Sequence, residues 1–262
     1  MLFRSGGGSG VPGYVVLVKE LLALKVDVIV ALSSLATAAA KEAAADTPTI
    51  FVDVGDPIAY GFVSNLRRPG GKMTGLSAAL TDTAPKALQL LKEVVPKLTQ
   101  VAILANPNNP GHTGTVRALE AGGVSLSLKT ELYDSPTLDR FQEVTAALTR
   151  NRPQAMFVIP DFFLYSLRDK IIEFAAAQRI PTAYALREYA LAGGLIAVAA
   201  DRQEMYRRAA FLMHKVFGGL NPGEIPIEQP TKFELLVNLK TAKALGLTIP
   251  PSLLVRANQV IE

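Results

Sequence analysis

Strand and helix alternate along this chain from residue 14 onward, and that alternation limits the fold more than any single motif does. Residues 26–32 (VDVIVAL) form a nearly unbroken β-branched run, as expected of a strand buried on both faces of a parallel sheet. Ser33-Ser34 leads into an Ala-rich helix predicted to end near Ala45, and Pro48 introduces a second buried strand over 49–54. A helix over 82–95 puts Leu88, Leu91 and Val95 on one face, stops at Pro96, and is followed by a strand over 101–105. Ser135-Pro136 reads as the cap of the next helix, with Phe141, Val144 and Leu148 inward, ahead of a strand over 155–159. A helix over 164–178 buries Leu164, Leu167 and Ile171, and residues 195–199 form a further strand. The last long helix opens on Asp201 and Glu204, a capping-box-like pair, and closes at Gly218. Such alternation predicts an α/β protein with parallel sheets.

The chain also echoes itself. The segment DVIVALSSLATAAAKEAAADTPTIFVDVGDP, from Asp27, and QAMFVIPDFFLYSLRDKIIEFAAAQRIPTAYALRE, from Gln154, share one order. Each runs strand, polar residue at the strand's carboxyl end, helix, Pro-Thr, strand and polar loop, the second helix being about six residues longer. Two such βαβ units predict two similar lobes, each a mostly parallel doubly wound sheet.

Composition closes off much chemistry. The 262 residues include no Cys, which removes disulfides, thiolate nucleophiles, Cys-ligated zinc and iron–sulfur clusters. Only two His, His112 and His214, argue against a His metal site or a His general base. No catalytic residue, metal or cofactor is therefore expected. The net charge of +4 is scattered, and the local groups Arg67-Arg68 with Lys72, and Arg202 with Arg207-Arg208, read as solvated face. Without a basic stripe or a recognisable module, nucleic acid is not an expected partner. The longest apolar stretch, residues 15–32, is broken by Lys19, Glu20, Lys25 and Asp27, so no membrane span is expected. Residues 1–13 lack the apolar segment of a signal peptide. Leu2 to Ser5 match the translated end of a common sequencing adapter, so the expectation is a gene fragment whose true beginning lies upstream.

Two glycine motifs fail on context. Residues 8–13 fit G-x-G-x-x-G, but no strand precedes them and Pro12 sits inside. Gly70-Gly71-Lys72 resembles a phosphate loop, yet Leu66 stands where a Gly is needed and Met73 where Ser or Thr should follow the Lys. Both read as turn chemistry.

What remains is a set of polar residues at the carboxyl ends of strands, where open α/β sheets bind ligands. Ser33, Ser34 and Thr37 offer hydroxyls at a strand-to-helix turn, a seat for a carboxylate beside the helix's free N–H groups. Either serine also suits a plain N-cap. Asp53 and Asp56 lie in the loop after the next strand and could take an ammonium or hydroxyl group, while Asp56-Pro57 equally fits an N-cap with Pro at the first helical position. Further on, Asn106, Asn108 and Asn109 follow one strand, Asp161-Phe162-Phe163 another and Tyr184 a third, pairing apolar walls with polar anchors. A single aromatic such as Phe163 suits a core position as well. An amino acid with a hydrophobic or aromatic side chain fits this set better than a sugar, which would call for Trp platforms, and the chain has no Trp.

Arg68-Pro69-Gly70-Gly71-Lys72-Met73-Thr74-Gly75-Leu76-Ser77 resembles the R-P-G-G-N-[IM]-T-G-[LF]-[ST] signature of the tryptophan/tyrosine-type ABC-transporter substrate-binding proteins. Residues 219–234 (GLNPGEIPIEQPTKFE) and 238–250 (NLKTAKALGLTIP) resemble that family's second hallmark, and similarity runs from about residue 15 to the end. Lys72 replaces the usual Asn, and residues 195–199 lack the Ser-Tyr-Gly that often ends that strand. The resemblance implies a two-lobed type I periplasmic-binding-protein fold with three crossovers and a small polar solute clamped between lobes. On it, the loops at Ser33–Ser34, Asp53–Asp56, Asn106–Asn109, Asp161–Phe162 and Tyr184 face the cleft. It further implies a periplasmic protein that delivers its solute to the permease subunits of an importer and performs no reaction. The family's leading strand, first helix, second strand and signal peptide have no counterpart here. The expected lobes are residues 1–82 with 194–222, incomplete and exposing apolar sheet surface, and residues 83–193 with 223–262. Two other readings share the lobe arrangement: the effector-sensing half of a transcription regulator, and a two-lobed enzyme such as a racemase, against which the missing paired thiols count.

Overall fold

The structure, a computed structural model, describes residues 10–262; the adapter-like residues and the start of the 8–13 motif lie outside the described residues. It divides into two compact units, one built from residues up to Ala79 with Asp201–Lys232, the other from Leu80–Ala200 with Phe233–Glu262.

The described chain opens with α1 (Gly10–Ala23), so residues 10–13, expected as turn chemistry, lie instead in a helix. Pro12 falls in its first turn, where a missing N–H costs nothing. Three parallel strands follow, β1 (Ile29–Leu32), β2 (Thr49–Val54) and β3 (Met73–Ser77), in that spatial order, with α2 (Ser34–Ala43) between the first two. Ile29 is registered on Thr49, and Thr49 on Met73. Val18 of α1 and Ala39 and Ala40 of α2 close over Ile29 and Ala31. The small alanine side chains let α2 lie close to the sheet. β2 and β3 are buried almost throughout; the apolar run predicts β2, whereas β3, which carries Thr74, Gly75 and Ser77, is not among the strands expected from the sequence. β1, at one edge of the sheet, is not buried on both faces: Val30 and Leu32 are each 41% exposed, the apolar sheet surface expected of the first lobe.

The second unit begins with α3 (Leu80–Val94), β4 (Gln100–Ala105), α4 (Pro110–Ser125), β5 (Lys129–Asp134) and α5 (Leu138–Asn151). It continues through β6 (Ala155–Val158), α6 (Phe162–Ser166), α7 (Arg168–Ala177), β7 (Thr182–Tyr184), α8 (Arg187–Leu191) and β8 (Ile196–Ala200). The chain then returns to the first unit as α9 (Arg202–Phe217), which packs on β2 and β3. Finally β9 (Phe233–Asn238), α10 (Leu239–Leu245), α11 (Pro251–Arg256) and β10 (Gln259–Ile261) complete the second unit. Its seven strands lie in the order β10-β9-β8-β7-β6-β4-β5, every pair parallel except β8 with β9. Apolar clusters fill both faces, one around Leu88, Leu91, Ile103 and Phe157, the other around Leu104, Met156, Ile171 and Tyr184.

Several local expectations shift. The helix read over 164–178 is two helices broken at Leu167, whose backbone leaves helical geometry. Thr137, not Ser135, caps α5 by accepting from the Arg140 N–H, and the buried Ser135 Oγ has no hydrogen-bond partner. Residues 194–200, expected in the first lobe, belong to the second unit because β8 pairs with β7 and β9. Residues 223–232, expected in the second lobe, belong to the first for an equally direct reason. The Gly70 N–H donates to Gly223 O at 2.9 Å, Ile227 to Leu66 O at 2.7 Å and Glu228 to Gly75 O at 2.9 Å, and Thr74 Oγ1 donates to Ile225 O at 2.8 Å.

Those bonds join the two signature segments of the sequence to each other. Gly223 lies so close to the Gly70-Gly71 backbone that a Cβ there would sit 2.6 Å from Gly71 O, and one on Gly75 would sit 2.1 Å from Phe51 O. Gly75 in the first signature and Gly223 in the second permit close backbone approach. They form a structural weld inside the first unit.

Candidate functional site

Each unit gathers polar groups at the carboxyl ends of its own parallel strands. In the first, Ser33 follows β1 at φ 86°, ψ 162°, a conformation that non-glycine residues rarely adopt. Its N–H donates to Val52 O at 2.9 Å, which ties the strained residue to β2. Ser33 stands at the N-cap of α2 but makes no side-chain capping bond, so the plain N-cap reading of its hydroxyl does not hold. Ser34 opens α2, and both serines are half-buried. Thr37 is buried and donates its hydroxyl back to Ser33 O at 2.7 Å, one turn earlier.

Asp53 sits at φ 62° near the end of β2. Arg202, the first residue of α9, donates to Asp53 Oδ2 from Nε at 3.0 Å and from Nη2 at 2.9 Å. Arg202 escapes a reading by sequence because 149 residues separate it from its partner. The group read as solvated face is in fact paired, with Arg207 on Glu204 and Arg208 held bidentately by Glu228. Asp56 is spent on its own turn, Oδ1 accepting from the Ile58 and Ala59 N–H groups at 3.0 Å each, but no helix follows it before β3, so it closes a turn and not the helix that the N-cap alternative expected.

In the second unit the loops after β4 and β6 are tied together. Asn106, only 8% exposed, donates from Nδ2 to Asp161 Oδ2 at 2.6 Å. Its Oδ1 accepts from the Asn108 N–H, and its own N–H donates to His112 Nδ1 at 3.0 Å. Asp161 Oδ1 accepts from the Leu164 N–H at 2.7 Å, making it the N-cap of α6. The Asp161 carboxylate is thus oriented by two donors at a half-buried position, a geometry suited to receiving an ammonium group. Asn109 caps α4 through a bond from the Gly111 N–H. Phe162, 39% exposed, offers apolar surface beside Asp161, whereas Phe163 packs against the core.

Tyr184 is placed differently from its expected role as a stacking wall. Its ring is fully buried, stacks on Tyr189 at 4.4 Å between centroids, and lies where a side chain on Gly194 would clash. Burial holds the hydroxyls of Tyr184 and Tyr189 well above the ordinary tyrosine range, so both stay protonated. Tyr184 is a core residue under the strand ends. His112 was passed over in the sequence except as a count; its signal was the Asn-rich turn just ahead of it.

Among the described residues, no group of three or more His, Asp or Glu could hold a metal, and no helix is long and apolar enough to cross a membrane.

A family model described as ABC transporter substrate binding protein matches residues 10–261. A curated relative, the Tyrosine-binding protein of Clostridioides difficile strain R20291, is 25% identical over 223 residues, covering 85% of this chain and 64% of its own length. This chain therefore spans just under two thirds of that relative. Among solved structures, an ABC domain in complex with L-Trp from Streptococcus pneumoniae superposes with a TM-score of 0.89 at 24% identity, covering 96% of this chain and 84% of that one. A conserved domain protein of Vibrio cholerae gives a TM-score of 0.87 at 21% identity, covering 95% of this chain and 83% of that one. These two structures establish the shared fold.

Proposed function

Because the chain belongs to the ABC transporter substrate-binding protein family, we propose that it is the extracytoplasmic solute-binding component of an importer and that its solute is an amino acid with an apolar or aromatic side chain. The observation that carries this reading is the oriented Asp161 carboxylate with exposed Phe162 beside it: an anionic anchor adjoining an apolar surface. An ammonium group meets the first and a hydrophobic side chain the second. In the first unit, the Ser33 and Ser34 hydroxyls are proposed for the solute's carboxylate, beside the neutral Arg202–Asp53 ion pair at the end of the adjacent strand. Thr37, Asn106 and Asn109 support the turns that carry these groups. The names of the relatives support the same class, one a tyrosine-binding protein and one solved with L-Trp. Permease subunits are the proposed recipients of the solute.

Calorimetric titration tests this. Aromatic and branched amino acids should bind, and neutral sugars should not. Hydrogen bonds to a charged group are worth about 1.5–3 kcal/mol each. Ser33→Ala with Ser34→Ala should therefore weaken amino-acid binding about tenfold or more while leaving the fold intact by circular dichroism. Binding of a sugar and of no amino acid would reject the reading, and unchanged affinity in the double variant would reject the seat at Ser33 and Ser34.

A further inference from the structure

Buried against the Asn106–Asp161 pair is an imidazole that the proposed binding reaction does not itself use. His112, in the first turn of α4, is 3% exposed. Its Nδ1 accepts the Asn106 N–H at 3.0 Å, and a backbone amide can only donate, so Nδ1 carries no proton. The proton therefore lies on Nε2, which faces Pro160 O at 3.4 Å. One neutral ring thus bridges the loop after β4 to the loop after β6, the two loops that also meet through Asn106 and Asp161. We infer that His112 is a positioning residue for the solute: in its neutral form it holds Asn106 against Asp161, and its protonation releases the solute's ammonium anchor. This inference rests on the proposed amino-acid reading for the identity of the solute, and on geometry alone for the latch.

The physical sequence is short. Protonation converts Nδ1 from acceptor to donor, and two donors then face each other at hydrogen-bond distance. They must part, and the Asn106 backbone carries with it the Nδ2 group that orients Asp161. The new cation also sits near the Asp161 carboxylate, where it competes with a bound ammonium. Asp161 is the charged group acting on the ring, and it favours the protonated form; burial acts against it more strongly, so the ring is held neutral to lower pH than an ordinary histidine.

The test has two independent readouts. Calorimetry with the best-binding amino acid should show wild-type affinity steady near neutral pH and falling about tenfold as the pH is taken well below 6.5, through the lowered range in which the buried His112 protonates. His112→Phe should bind weakly throughout. His112→Asn, which restores an acceptor near the Nδ1 position without a titrating ring, should recover much of the lost affinity and flatten the profile. A flat wild-type profile would overturn the latch while leaving the amino-acid reading standing; absence of amino-acid binding at neutral pH would overturn the reading instead. The second readout needs no solute. With only two histidines in the chain, the imidazole resonances of His112 and His214 are separable by substitution. The Asn106 backbone and side-chain amide signals should shift along the His112 titration curve. Amide signals that ignore that titration would overturn the latch whatever the solute.

Discussion

At the scale of residues, strain and burial stand where the polar chemistry stands. Ser33 and Asp53 both hold positive φ at the ends of adjacent strands, at φ 86° and 62°. Non-glycine residues in such regions cost about 1–3 kcal/mol each, and they persist where surroundings over-determine them. The Val52 carbonyl fixes Ser33 and the Arg202 guanidinium fixes Asp53. His112 adds a titrating element. Its folded state resists protonation because burial disfavours the cation, while the unfolded chain titrates near the ordinary 6.5. Below that value the unfolded state binds more protons, so stability should fall as pH drops from about 6.5 toward the lower folded-state pKa. Above 6.5 this contribution is fully present. Denaturant unfolding at a series of pH values should show the loss, and His112→Asn should lessen it; an unchanged slope in the variant would remove His112 as its source. Residue types were readable from sequence, since Ser33, Asp53, Asn106 and Asp161 all stand at strand ends. Their partners were not. Asp53 meets Arg202 across 149 residues and Asn106 meets Asp161 across 55, and no local spacing announces either contact. Tyr184 failed for a related reason: a tyrosine at a strand end faces either surface or core, and only packing decides.

At the scale of elements, the apolar run foretold β2 as a buried strand, whereas β3 was legible only as part of the glycine signature, and the capping residues foretold α9 from Asp201 to Gly218. Where the pattern misled, pairing and caps were responsible. An apolar run identifies a strand but not whether both its faces are covered; Val30 and Leu32 of β1 carry the exposed apolar sheet surface expected of the first lobe. Ser135 and Thr137 are equally good capping residues, and the chain path chose Thr137. The glycine-rich signature was legible as turn chemistry but not as a weld. Gly223 supplies its clearest test. A methyl group there would press on the Gly70-Gly71 backbone, which has no flexible side chain to move aside. Overpacking of this kind costs about 1–3 kcal/mol or somewhat more. Gly223→Ala should lower thermal stability accordingly, whereas Gly219→Ala, at a positive φ with open space around it, tests backbone strain alone. Equal stability of Gly223→Ala and wild type would show that the close approach is not required.

At the scale of the whole molecule, the repeated βαβ echo foretold two units, and the sheets of three and seven strands are each largely parallel. The boundaries were less legible, because they depend on β8 joining β9 in the second unit and on residues 223–232 bonding back to the first. The proposed function rests on family membership together with the strand-end chemistry, and its central claim is that this chain binds an amino acid with an apolar or aromatic side chain. The absence of Trp from the chain makes one measurement unusually direct. With excitation at the red edge of indole absorption, the emission of added L-tryptophan reports on the ligand alone. Titrating the protein into L-tryptophan should change that emission saturably, and excess L-tyrosine or L-phenylalanine should reverse the change while neutral sugars do not. Emission that stays constant for L-tryptophan, together with calorimetric heats from a sugar and from no amino acid, would contradict the account.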